Sequence, residues 1–233
     1  NYYAKLIRML SSVGAKTIVF DVLFQDATKP EIDTQLASAT AAAGNVVHSF
    51  KFSTRPESEY LHHENFEKYA IPVESDESLN LIEGLFATFP HQNFITAFHQ
   101  GGYFNAELDP DGLVRRMPLF IKHEELTYPA LGLSAILDFY NMLNPVCKIE
   151  QNFWGKKLVI ESDAGILQIP VNEKGQILLN LYGLLTQFET HTFHRVIELS
   201  DLIENREASS LLHDWFEGKT VLIGLAVTTS DEH

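Results

Sequence analysis

The chain has 233 residues, of which 45% are hydrophobic, 11% aromatic and 21% charged, a balance that excludes intrinsic disorder and collagen-like repeats. At roughly 150 residues per domain it is one large domain or two small ones, and such a chain buries roughly 70% of its unfolded surface without a disulfide or a metal. Seventeen Lys and Arg stand against 31 Asp and Glu, a formal net charge of −14, which repels phosphate backbones and anionic bilayers and argues against nucleic-acid binding.

Leu6, Ile7, Leu10 and Val13 recur at helical spacing, and Gly14 follows as a stop. The short β-branched run Thr17-Ile18-Val19-Phe20 reads as a buried strand. Thr28-Lys29-Pro30-Glu31 has the form of a capping box with Pro in the first turn. The helix it opens carries Ile32, Leu36, Ala39 and Ala43 and closes at Gly44, and Val46-Val47-His48-Ser49-Phe50 is the next strand. Helix–strand–helix–strand with short joints predicts parallel strands joined by a right-handed crossover. Residues 53–75 are polar and read as a loop. The spacing predicts a helix over 76–88 and a strand over 93–99.

Asp109-Pro110-Asp111-Gly112 fits a type I turn, with a strand predicted over 113–122. Pro129 is expected to open an apolar helix carrying Leu133, Ile136, Leu137 and Tyr140. Segments 157–161, 166–171 and 176–182 are separated by turn-like clusters and predict an antiparallel meander. Residues 190–196 look like strand, 206–216 like helix, and 219–224 like a last buried strand. The fold class is therefore α/β: a mixed sheet with parallel βα units in the N-terminal part and antiparallel hairpins in the second half, flanked by helices. No linker stands out, so one domain over 1–233 with a lobed or inserted part is expected.

The single cysteine, Cys147, cannot form an intrachain disulfide and does not report the redox compartment. No apolar run approaches the ~18–20 residues of a membrane span, and no signal peptide is visible. The start at Asn1-Tyr2-Tyr3, without Met, reads as a fragment whose membrane anchors lie outside it, and Glu232 and His233 could be foreign additions.

Motif by motif, the chemistry is thin. Asp21 ends an apolar strand, where α/β proteins place functional carboxylates, but Leu23 stands where a haloacid-dehalogenase pattern needs its second Asp. Asp109 and Asp111 have that spacing without the preceding apolar strand, and Leu113 breaks an EF-hand at its third ligand. Gly132-Leu133-Ser134-Ala135-Ile136 lacks the last Gly of a nucleophile elbow, so Ser134 reads as a small helix residue. His191-x-x-His194 and His62-His63 are the densest histidine features, but ligands three apart share a face only on a helix, and neither a Cys nor a His-Glu-x-x-His frame accompanies them. Gly218-Lys219-Thr220 resembles the end of a phosphate loop whose first Gly is replaced by His213. Arg115 and Arg116 should face opposite sides of a strand, with an Asp109 or Asp111 salt bridge or a bidentate anion contact as the two uses. No metal, cofactor or catalytic constellation emerges.

Ordered blocks along the chain nevertheless resemble a known family. Residues 14–24 (Gly14-Ala15-Lys16-Thr17-Ile18-Val19-Phe20-Asp21-Val22-Leu23-Phe24) are similar to the opening of the second type of CHASE domain, named for cyclases and histidine kinases with associated sensory extracellular domains. Asp33 and Leu36, the strand at Asn45-Val46-Val47, and the block Gly102-Tyr103-Phe104-Asn105 with Asp109-x-Asp111-Gly112-x-x-Arg115-Arg116-x-Pro118 follow in family order. Pro129-Ala130-Leu131-Gly132-Leu133, Gly218-Lys219-Thr220-Val221-Leu222-Ile223-Gly224 and Asp231 complete the series. The family usually continues beyond that last Asp into a Thr-Pro segment and membrane helices, which this chain does not reach.

The resemblance implies a role and no reaction: an extracytoplasmic signal-input domain of a bacterial inner-membrane receptor. Membrane helices would tether it to a cyclase, histidine kinase or Ser/Thr kinase, and a homodimer is expected in the full-length receptor. The signal would be a small molecule or an environmental cue, and the family supplies no general ligand or binding residues. By the position of ligand crevices in open α/β sheets, a pocket is expected near Asp21 and Phe24 and near residues 224–229, which makes Asp21, Phe24, Arg115, Thr228 and Asp231 the candidate ligand residues. A capping role for Asp21 and a stabilising role for 109–116 are the plainer readings. The rivals are a dimerisation module without ligand, paired through the N-terminal helix, and a hydrolase with dispersed residues.

Overall fold

The computed structural model describes residues 1–53, 66–74, 80–106, 108–153, 155–180, 183, 187–202 and 206–225. The chain runs α1 (Tyr2–Ser12), β1 (Thr17–Phe20), α2 (Pro30–Ala43), β2 (Val46–Ser53), a 3-10 turn (Phe66–Tyr69), β3 (Val73–Glu74), β4 (Ile82–Glu83), β5 (Phe86–Thr88), α3 (Gln92–Ile95) and β6 (Gln100–Tyr103). It continues through β7 (Arg116–Pro118), β8 (Phe120–His123), β9 (Leu126–Pro129), α4 (Leu131–Phe139), β10 (Val146–Asn152), β11 (Gly155–Ser162), β12 (Gly165–Val171), β13 (Gln176–Leu178), α5 (Phe193–Asp201), α6 (Arg206–Phe216) and β14 (Thr220–Ile223).

The centre is a parallel ladder in the order β14-β1-β2, with β6 on the far side of β2. All four residues of β1 are buried, as a strand covered on both faces requires. The pleat sends alternate side chains to opposite layers. Thr17 and Val19 face α4, where Thr17 Oγ1 donates to Asp138 Oδ2 at 2.6 Å and Val19 packs with Val47 and Leu131. Phe20 points the other way and meets Tyr3 of α1 edge to face, with ring centres 5.7 Å apart. Helix α1 is amphipathic: Leu6, Ile7 and Leu10 are buried, and Asn1 Oδ1 caps it by accepting from the backbone N–H groups of Tyr3 and Ala4. Helix α2 ends at Gly44, whose φ of 71° is the left-handed turn that favours glycine.

Smaller sheets surround this ladder. β12-β11-β10 are antiparallel, with β3 parallel on the outer side of β10. β8 joins β9 by an antiparallel ladder and β4 by a parallel one, while β13 pairs β7. The mixed α/β class, the early parallel βα unit and the later hairpins are as the sequence predicts.

Several local expectations are corrected. The 76–88 helix is absent where described: β4 and β5 stand there, and 75–79 lie outside the described residues. Gly84 sits between them against the Phe52 ring, where a Cβ would approach within 2.7 Å, and strand pairing to β8 and β2 prevails over a helical pattern already weakened by glycine. The 93–99 strand is the short helix α3, capped by His91 Nδ1 accepting from Asn93 N, because Phe94, Ile95 and Phe98 all point into one core. The 113–122 strand breaks at Leu119, whose N–H turns to Gly175 O, into β7 and β8 with different partners. Pro129 closes β9, and α4 begins at Leu131. The meander gains an unforeseen strand, β10, and its third strand pairs with β7. Residues 190–196 are not strand: Thr192 caps α5 by accepting from Arg195 N. The capping box at Thr28 does not form; Lys29 is the cap residue and makes no side-chain bond there.

Candidate functional site

The strand order reverses around β1, which leads through α2 to β2 on one side and meets β14 on the other. This is a topological switch point, the usual crevice of open α/β sheets. Asp21 lies there, exposed, with its N–H donating to Ile223 O at 2.8 Å. A Cβ on Gly224 would stand 3.3 Å from the Asp21 Cβ, so the two strand ends lie close. Phe24 is half-buried and sits among aromatic rings: Tyr3 at 5.3 Å, Phe20 at 5.6 Å, His48 at 5.7 Å and Phe94 at 6.1 Å between centres. Its carbonyl accepts from His91 N at 2.7 Å.

The loop after β1 is further pinned by Asp33, buried in the first turn of α2. Its carboxylate accepts from Thr28 Oγ1 at 2.6 Å, from Thr28 N, and from Asn93 Nδ2 at 3.3 Å. Burial acts to raise this carboxyl, but the Thr28 and Asn93 hydrogen bonds and nearby His91 prevail and hold it below its usual range. His48 lies beneath the same end of the sheet. Its fully buried ring stacks in parallel with Phe98 and Phe20, and among the described residues neither ring nitrogen has a hydrogen-bond partner. Burial holds its pKa well below the ordinary value, so the ring is neutral at neutral pH.

Arg115 lies elsewhere, at the entry to β7. Its Nη1 donates to Asp109 Oδ2 at 3.0 Å and Asp111 Oδ1 at 2.8 Å, and its Nη2 to Asp111 Oδ2 at 2.6 Å. The fork is thus spent on the turn that Gly112 N closes onto Asp109 O at 2.8 Å. The Arg115 guanidinium holds the Asp111 carboxyl down, and the two carboxylates raise Arg115 in return. Asp21 and Phe24 thus both follow β1, one exposed beside Gly224 and the other among aromatic rings, whereas Arg115 lies on another ribbon; Thr228 and Asp231 lie outside the described residues.

A cavity of about 460 Å³ opens at the opposite end of β6, within the range of small-molecule sites. Lys68 to Pro72, the start of β6, Pro129, the inner side of α4 and residues 142–146 line it. Its walls are tied across the fold. The Tyr69 hydroxyl sits 2.9 Å from Ile95 O and 3.2 Å from Phe98 O, and Ser134 Oγ donates to Gly101 O at 2.9 Å. Ile71 N donates to Thr127 O at 2.9 Å, and Thr127 Oγ1 returns a bond to Ile71 O. Gly102 lets β6 touch the start of α4: an added Cβ would fall 2.7 Å from Leu131 N. The Lys68 ammonium donates to Ile95 O and lies 5.0 Å from the Tyr69 ring centre, and burial lowers its pKa. No sequence motif marks this cavity, because its walls come from five separated stretches.

The remaining candidates have structural partners. Ser134 is a buried helix residue bonded to Gly101 O. His191 precedes α5 and stacks on Trp215 with centres 3.7 Å apart, whereas His194 pairs with Glu198 along α5 at 3.1 Å. His62 and His63 lie outside the described residues. Among the described residues, no group of three His, Cys, Asp or Glu could hold a metal, and no helix is long and apolar enough to cross a membrane.

The family model of the CHASE2 domain matches residues 1–233. No curated protein and no solved structure matches the chain. The chain belongs to the CHASE2 domain family, a family of extracellular sensory domains and not of catalytic ones.

Proposed function

We propose that this chain is the extracytoplasmic signal-input domain of a bacterial transmembrane receptor. In this reading residues 1–233 form one domain, held at the inner membrane by helices outside it, that passes a conformational change to a cytoplasmic cyclase or kinase. The family match over the whole chain carries the reading, and the 460 Å³ cavity supports a small-molecule signal. A ligand moves such a receptor only as far as it prefers one state over the other, so a tenfold bias needs about 1.4 kcal/mol of differential affinity.

A second reading, a dimerisation module without a ligand, draws on α4. Ile136 and Tyr140 fall on one stripe of that helix, and both are exposed together with Leu143 just beyond it. A homodimer belongs to both readings; ligand dependence separates them. Alkaline phosphatase fused to the chain within the full-length protein should be active in cells, and exchanging the chain for an inert exported domain should abolish the response of the cytoplasmic output to medium composition. Inactive phosphatase fusions, or an unchanged response after the exchange, would overturn the proposal.

A further inference from the structure

The lining of the cavity contrasts with the rest of the chain. Against a net charge of −14, the described walls carry Lys68 and His99 and no Asp or Glu. The Lys68 ammonium rests on a neutral carbonyl and a ring face, and no carboxylate among the described residues pairs with it. An ammonium at a concave, partly apolar wall, with no carboxylate beside it among the described residues, is open to a charge-assisted bond with a negative group. Met142, Leu143 and Val146 form the apolar side. Leu143 is 65% and Val146 45% exposed, so this side of the lining also presents apolar surface to solvent. Asn144 lines the same edge with a φ of 46°, a left-handed conformation that holds the loop in its turn.

We propose that this cavity binds a small organic anion with an apolar body, of the carboxylate class: Lys68 takes the carboxylate, and Met142, Leu143 and Val146 cover the apolar part. His99 and Gln100 line the same cavity and offer further donors. The ligand would touch the start of β6, the inner face of α4 and the start of β10 at once, elements of two different sheets joined by one helix. Its binding would therefore bias how those parts sit together, which is the form a sensory output needs. This assignment rests on the sensory reading and names its ligand class.

The test uses two probes of nearly equal shape, phenylacetate and phenylacetamide, titrated onto the 233-residue chain by calorimetry. Phenylacetate should saturate with a Kd below about 10 mM and bind at least about tenfold tighter than the amide. Lys68→Met, an exposed position that should leave the fold intact, should bring the two within about twofold. Leu143→Asp, which adds a negative charge at the mouth, should weaken phenylacetate more than about tenfold and the amide less than about threefold. No saturation, no preference for the anion, or a preference that survives Lys68→Met would overturn the site. The full-length receptor separates the two levels. Charge-selective binding with an output indifferent to Lys68→Met would keep the site and overturn the sensory reading. An output that follows the medium without any anion preference in the chain would do the reverse.

Discussion

At the scale of single residues, two buried titratable groups contribute to the acid side of the stability curve, in different pH windows. His48 is neutral in the fold because no partner among the described residues offsets the burial of its charged form. Above its ordinary value of 6.5 it is neutral in both states and leaves stability unchanged. Below that value the unfolded chain takes up a proton that the folded chain refuses, and stability falls by up to about 1.4 kcal/mol per pH unit. His48→Phe suits a slot between Phe20 and Phe98 and removes two unsatisfied nitrogens. Its urea midpoint should fall less between pH 7.5 and pH 5.5 than that of the parent, and an identical fall would show that His48 does not cause it. Asp33 acts lower. Its folded pKa lies below 3.8, so its contribution is complete above that value and is lost as pH falls through the folded value. Asp33→Ala should cost about 1–3 kcal/mol at pH 7, because it orphans donors on Thr28 and Asn93. A loss below about 0.5 kcal/mol would mean that water replaces the carboxylate freely.

At the scale of elements, sequence reading succeeds where local signals agree and fails where partners decide. Helix α1 has both an apolar stripe and a stop, and α2 has Pro at its start and Gly44 at its end, so both were legible. The short strands β4, β5 and β7 have no such signature; each is defined by the strand it pairs with. Helix α3 has no clear signature, because Phe94, Ile95 and Phe98 are equally apolar at either period and the cap at His91 is an unusual one. The glycines of β6 have tertiary reasons that no local pattern shows: Gly101 lies against Phe50 and His48 O of β2, and Gly102 closely approaches the start of α4. That approach makes Gly102→Ala a test of the interface. The added methyl meets Leu131 backbone, which cannot swing aside as a side chain can, so a loss of about 1–3 kcal/mol is expected. Gly132→Ala, where a Cβ meets nothing within 4 Å, should be neutral or better in the same helix. Equal effects at the two positions would contradict the contact.

At the scale of the whole molecule, the aromatic site and the cavity differ in how far sequence could reach them. Asp21 and Phe24 follow one buried strand, so chain order alone points to them. Lys68, Gln100, Leu137 and Met142 come together only through tertiary packing, and no local spacing encodes that. Charge is the global property that sequence does set. A net charge of −14 concentrated in a folded volume repels itself more than the same charge spread along an unfolded chain. Opposing this are surface ion pairs such as Lys157–Glu150 at 3.1 Å and Lys219–Glu189 at 2.7 Å, each worth roughly 0–1 kcal/mol and also weakened by salt. The excess of carboxylates leaves many acidic groups without cationic partners, so the repulsive sum should dominate. Raising NaCl from about 10 mM to 150 mM shortens the screening length from about 30 Å to about 8 Å, which removes the long-range repulsion before the close pairs. The thermal midpoint should therefore rise across that range, with most of the gain at the low-salt end. A midpoint that falls instead would mean that local pairing outweighs the net charge.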